Sequence, residues 1–183
     1  MPAPIRVIGL ILLIALASTS SAAADTAAEI NRDSTAALND LYAKNPAAKT
    51  LAGKAKAILI FPSIVKGGFI VGGQTGTGAL RKGGKTVGFY RSVAGSYGLQ
   101  AGVQKFGYAM MFMDNASLAY LDKSDGWEVG VGPSLVIVDE GKAKSLTTTT
   151  AREGVYAFIF DQKGLMGGMG IQGSKITRFT PKK

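Results

Sequence analysis

The sequence predicts an α+β domain, with N-terminal helices packed on a curved, glycine-rich, mostly antiparallel, barrel-like β-structure. Three observations predict it. Residues 25–56 carry apolar side chains at helical spacing, and from Ala57 onward the pattern changes to short apolar and alternating runs. Glycine makes up 13 of the 41 residues between positions 67 and 107, and glycine inside strands marks bulges, curvature or close backbone approach. The chain has 183 residues, 46% of them apolar, which suits one domain with one core.

The elements follow in order. Residues 1–24 read as a signal peptide cleaved near Ala24 and Asp25. Their apolar run, 7–17, is short for a membrane-spanning helix, and Ala22-Ala23-Ala24 fits a small-x-small cleavage site. The single folded domain is then 25–183. Residues 25–44 form a helix with Ile30, Ala37, Leu38 and Leu41 on one stripe. Asn45 is a good N-cap and Pro46 a good first residue for a second helix over 46–56. Its small apolar face, with Leu51 as its one large side chain, packs on the sheet and leaves Lys49 and Lys56 outside.

Residues 58–61 form a buried strand that Pro62 ends. Further strands are expected over 68–73, 86–91, 96–103 and 107–113, with a short helix over 115–121. The β pattern continues over 127–138, 154–160 and 164–178, and Thr147–Thr150 is an exposed strand or its approach. Phe61, Phe69, Phe106 and the methionine-rich run 109–113 belong to the core.

Composition removes most catalytic chemistries. The chain has neither cysteine nor histidine. Disulfides, thiol nucleophiles, Ser-His-Asp triads and the usual zinc sites are therefore excluded. Ser63-Ile64-Val65-Lys66 matches an S-x-x-K acyl-transferase pattern, but the flanking proline and glycines suit a turn, and no K-T-G occurs. Gly84-Lys85-Thr86 lacks the earlier glycine of a phosphate-binding loop, since Ala79 stands there. No catalytic residue, metal ligand or cofactor is assigned.

Charge carries the informative signal. The net charge is +9, and residues 41–113 contain ten cations and no carboxylate. Such a block favours an anionic partner. The candidate head-group ligands are Lys44, Lys49, Lys54, Lys56, Lys66, Arg81, Lys82 and Lys85. Arg81-Lys82-Gly83-Gly84-Lys85 reads as a basic hairpin tip whose glycines let backbone N–H groups approach a phosphate.

The stretch from Ala55 through Phe61-Pro62-Ser63-Ile64-Val65-Lys66-Gly67-Gly68-Phe69 to Gly72-Gly73 resembles the signature of the SYLF-domain lipid-binding family. Ser96-Tyr97-Gly98-Leu99-Gln100-Ala101-Gly102, Gly130-Val131-Gly132-Pro133 and Lys163-Gly164-Leu165-Met166-Gly167-Gly168 with Gly173-Ser174 fit the same family in the same order. The resemblance implies a non-catalytic lipid-binding domain. Eukaryotic relatives bind phosphoinositides through basic and amphipathic elements near the start of the domain, and some fungal relatives bind actin. This chain resembles an exported, single-domain bacterial member, peripheral at a membrane in the periplasm or secreted. Anionic phospholipids such as phosphatidylglycerol and cardiolipin are then the expected partners, with nucleic acid excluded by compartment. The alternative is a periplasmic structural or protein-partner interaction module without a lipid ligand.

Overall fold

The computed structural model describes residues 25–68, 71–97, 102–123, 126–128, 133–138, 153–164 and 174–183. Residues 1–24, read above as a signal peptide, Thr147–Thr150, Phe69 and parts of the glycine-rich stretches, including 130–132 and 165–173, lie outside the described residues. The elements run α1 (Ala27–Lys44), α2 (Pro46–Ala52), β1 (Ala57–Gly68), β2 (Val71–Lys82), β3 (Lys85–Tyr97), β4 (Gly102–Phe112), α3 (Asn115–Leu121), β5 (Trp127–Glu128), β6 (Leu135–Val138), β7 (Val155–Gly164) and β8 (Lys175–Phe179).

Local chemistry sets the helix ends. Thr26 accepts from the Glu29 amide at 3.3 Å, and the Glu29 carboxylate accepts from the Thr26 amide at 2.8 Å, a reciprocal capping box. Those Thr26 hydrogen bonds hold the Glu29 carboxyl below its usual range. Asn45 ends α1 and starts α2, its side chain accepting from the Ala48 amide at 3.0 Å ahead of Pro46. As expected, α2 packs Ala48 and Leu51 inward and leaves Lys49 exposed, but it stops at Ala52.

The strands form one curled, mixed, eight-stranded sheet in the order β5-β8-β3-β2-β1-β4-β7-β6. Each described pairing is antiparallel except β6 with β7. Five strand spacings separate β5 from β4, roughly 24 Å in a flat sheet. Yet Trp127 of β5 meets Phe112 of β4 edge-on, with ring centroids 5.5 Å apart. Only a curled sheet brings them together, so the face bearing Trp127, Phe112, Phe61, Tyr108 and Tyr90 is the inside of the curl. The outer face carries Ile60, Ala109, Met111, Tyr156 and Phe158, which Leu38, Leu41, Ala48 and Leu51 of the two helices cover. The run 109–112 is fully buried and divided between these two cores.

Three expectations need correction. Pro62 does not end a strand, because β1 continues through it to Gly68. Residues 68–73 are not one strand, because they span the end of β1 and the start of β2, which pair as a hairpin. Likewise 96–103 spans the end of β3 and the start of β4.

The continuation of β1 has a clear cause. Between Ile60 and Val65 it holds one more residue than β2 opposite, and between Phe61 and Ile64 one more than β4. This bulge falls at Pro62–Ser63, where the missing proline N–H costs no ladder bond. The partner strand makes room with glycine. A Cβ on Gly78 would lie 2.3 Å from the Ile60 carbonyl oxygen, and one on Gly76 2.6 Å from that of Ser63.

Gly78→Ala is therefore expected to destabilise the domain by about 1–3 kcal/mol in a denaturant titration. Gly95→Ala, where a Cβ meets nothing within 4 Å, leaves the midpoint unchanged. The Glu29 cap has a pH signature. Its contribution is complete above the ordinary glutamate range and is lost as pH falls through the lowered folded value. Amide exchange in the first turn of α1 should speed up on acidification, and Glu29→Gln should remove that dependence.

Candidate functional site

A groove of about 530 Å³ lies on the outer side of the sheet, between the helices and the β2–β3 hairpin. Thr35, Leu38, Asn39 and Tyr42 of α1 form one wall at helical spacing. Lys49, Ala52, Gly53 and Ala55 form the second, and Ala57 and Ile58 of β1 the floor. Arg81, Gly83 and Gly84 of the hairpin close the third side. None of the described lining residues is a carboxylate.

Arg81 is anchored from behind. Its Nη2 donates to the Asn31 carbonyl at 3.0 Å and to the Thr35 hydroxyl. Asn31 also accepts through its side chain from Thr86 at 2.6 Å, so one α1 residue ties down both strands of the hairpin. The buried Nε of Arg81 has no hydrogen-bond partner among the described residues. A buried guanidinium donor without an acceptor carries a desolvation cost. Partial burial raises the Tyr42 hydroxyl pKa, and the Arg81 charge pulls it back down.

The hairpin tip is as the sequence predicts. Gly83 and Gly84 take φ values of 56° and 77°, the pair of positive angles a two-residue type I′ turn requires. Lys82 and Lys85 face each other across that turn, both exposed, and neither forms an ion pair with a described residue. Like charges directly opposite in a ladder are destabilising, so this placement works against the hairpin itself.

The eight candidate cations divide. Lys49 and Arg81 line the groove, with Lys82 and Lys85 on either side of its glycine rim. Lys54 and Lys56 are exposed neighbours of its lining residues Gly53 and Ala55. Lys44 is engaged elsewhere, 2.7 Å from Asp40 and 2.8 Å from Asp161 of β7. Lys66 is not on the basic surface. The bulge turns it into the curl, only 8% exposed, in register between Gln74 and Gln104. Ser63 lies within that bulge and not one helical turn from Lys66, so the S-x-x-K spacing has no helical geometry here. Gly84-Lys85-Thr86 sits in the hairpin with no helix after it.

Charge alone pointed to the cations and missed the polar wall of Thr35, Asn39 and Tyr42. Its signal was present in the 35/38/39/42 spacing, adjacent to the apolar stripe of α1. No family model and no curated protein matches the chain, so the SYLF-domain resemblance rests on the quoted residues alone.

Arg81→Met removes the charge that lowers the Tyr42 pKa, so the Tyr42 ring resonance should titrate at higher pH in that variant. An unchanged Tyr42 titration would contradict the proximity of the two side chains.

Proposed function

We propose that this chain is a non-catalytic lipid-binding protein that holds an anionic phospholipid head group in the groove between its helices and the β2–β3 hairpin. The observation that carries the reading is a groove lined by Arg81 and Lys49, with an apolar floor and no carboxylate among its described lining residues. In this reading the phosphate meets the Arg81 guanidinium together with Lys49 and the open glycine turn. Guanidinium suits phosphate because its fork of donors matches the phosphate oxygens. Leu38, Ala52 and Ile58 face the glycerol and upper acyl region. Lys54, Lys56, Lys82 and Lys85 add a screened attraction of about 1 kcal/mol each, which alone gives roughly millimolar attachment. The groove contacts must supply the rest. The barrel-like, largely antiparallel architecture serves as a rigid back wall for the site.

The signal-like residues 1–24 and the SYLF resemblance support the same reading in an exported, single-domain bacterial protein. Among the described residues no helix is long and apolar enough to cross a membrane. The proposed location is peripheral, at a membrane of the bacterial envelope. The natural ligands there are phosphatidylglycerol and cardiolipin.

Co-flotation with liposomes tests the proposal. Binding is expected to vesicles containing phosphatidylglycerol or cardiolipin, to weaken with salt, and to be absent with zwitterionic vesicles. Arg81→Glu with Lys49→Glu should lower the affinity roughly tenfold or more, while Lys44→Ala changes it little because Lys44 is held by Asp40 and Asp161. No flotation under any condition would overturn the lipid reading.

A further inference from the structure

The groove occupies only the helix-covered part of the outer sheet face. Beyond the β1 bulge the register places six exposed residues of the same face in one row. From β7 to β8 they are Lys163, Lys105, Val65, Thr75, Val93 and Lys175. Residues directly opposite in successive ladders share a face, so this is one continuous line across six strands, roughly 24 Å long. All six side chains are exposed, the valines at 44% and 48%. In the adjacent row Val103, 62% exposed, stands beside Gly67, Gly73 and Gly95.

Three features set the row apart from an ordinary solvated face. Lys105 and Lys163 are directly opposite each other, an arrangement that works against pairing of their strands. None of its three lysines forms an ion pair with a described residue. Exposed valines lie between the lysines where polar side chains would solvate better. Among the described residues, two carboxylates reach the middle of the row. Asp25 and Asp33 share a cleft with Val65 and Thr75, but Asp25 accepts from Thr77 and Asp33 pairs with Arg32. Asp161, two residues from Lys163, holds Lys44.

We infer that this row is the face that lies on an anionic lipid bilayer. Lysines at both ends are suited to the phosphate layer, and short branched side chains between them to shallow insertion. The glycine row beside them keeps the surface flat. A protein partner fits less well, because protein interfaces are rich in aromatic residues, methionine and arginine and poor in lysine. The row holds none of those enriched types. Among the described residues Arg91, on the same face, is stacked over Phe179 at 4.8 Å. The inference rests on the phospholipid reading of the groove and adds the surface by which the protein reaches its lipid.

The test uses Val93→Trp as a reporter against the single buried native Trp127. Its probes are phosphatidylglycerol-containing phosphatidylcholine vesicles and soluble short-chain phosphatidylglycerol below its micelle-forming concentration. The soluble lipid reads the groove without a membrane. Emission from residue 93 is expected to shift to the blue on vesicles and not on soluble lipid. Lys105→Glu, Lys163→Glu and Lys175→Glu together should lower vesicle affinity roughly tenfold to a hundredfold and leave soluble-lipid affinity unchanged. The matching glutamine triple variant, with an unchanged melting curve, should show a smaller loss. Soluble-lipid binding with no blue shift, and with the glutamate variant on vesicles like wild type, would overturn the face, keep the groove, and leave the row to an acidic protein. A blue shift on vesicles without soluble-lipid binding would support the face and overturn the groove. Binding to neither probe would overturn both.

Discussion

One extra residue in β1 sets the layout of this domain. The bulge at Pro62–Ser63 shifts the alternation of the strand, so that Leu59 and Phe61 point into the curl before it and Ile64 and Lys66 after it. Because β1 is bonded to both β2 and β4, the same step is imposed on each neighbour. β2 accommodates it with Gly76 and Gly78, whose missing side chains let the β1 carbonyls approach. The step also divides the outer face. On one side Ile58 and Ile60 lie beneath the helices, and on the other Val65 stands exposed.

The two faces then serve different ends. The inside of the curl is an aromatic core, with Trp127 between Phe112 and Tyr120 in edge-on contacts at 5.5 and 5.3 Å. Burying side chains of this size stabilises the fold by a few kcal/mol each. Toward the far end that face becomes polar, with Gln74 hydrogen-bonded to Ser174 and the buried Lys66 in register between Gln74 and Gln104. Burial raises the Tyr108 hydroxyl well above the ordinary tyrosine range, so it stays neutral. The outer face presents the cations instead, some in the groove and some on the exposed row. A sheet whose inner face is packed along its length can hold opposed lysines that would weaken a lone hairpin.

Much of this is legible in the residues themselves. Asn45-Pro46 marks the break between the helices, and Gly83-Gly84 between cations marks the hairpin tip, because caps and tight turns depend on side chains a few positions apart. β2 is harder to read. Its sequence from Val71 to Lys82 has little apolar content because glycine faces the β1 bulge, and that need arises in a different strand. Lys66 reads as a surface cation until the bulge reverses its side. Lys44 reads as part of a basic block until folding brings Asp161, 117 positions away, within 2.8 Å. The groove falls between these cases, since its cations stand out in sequence but its polar wall emerges only once α1 is laid against the hairpin.

The central claim is that the groove, and not the polar end of the curl, receives the ligand. Titrating isotope-labelled protein with soluble short-chain phosphatidylglycerol, and following backbone amide shifts, addresses it most directly. The largest shifts are expected at Lys49, Gly53, Arg81, Gly83 and Gly84. Shifts centred on Lys66, Gln74 and Gln104 with a silent hairpin would contradict it.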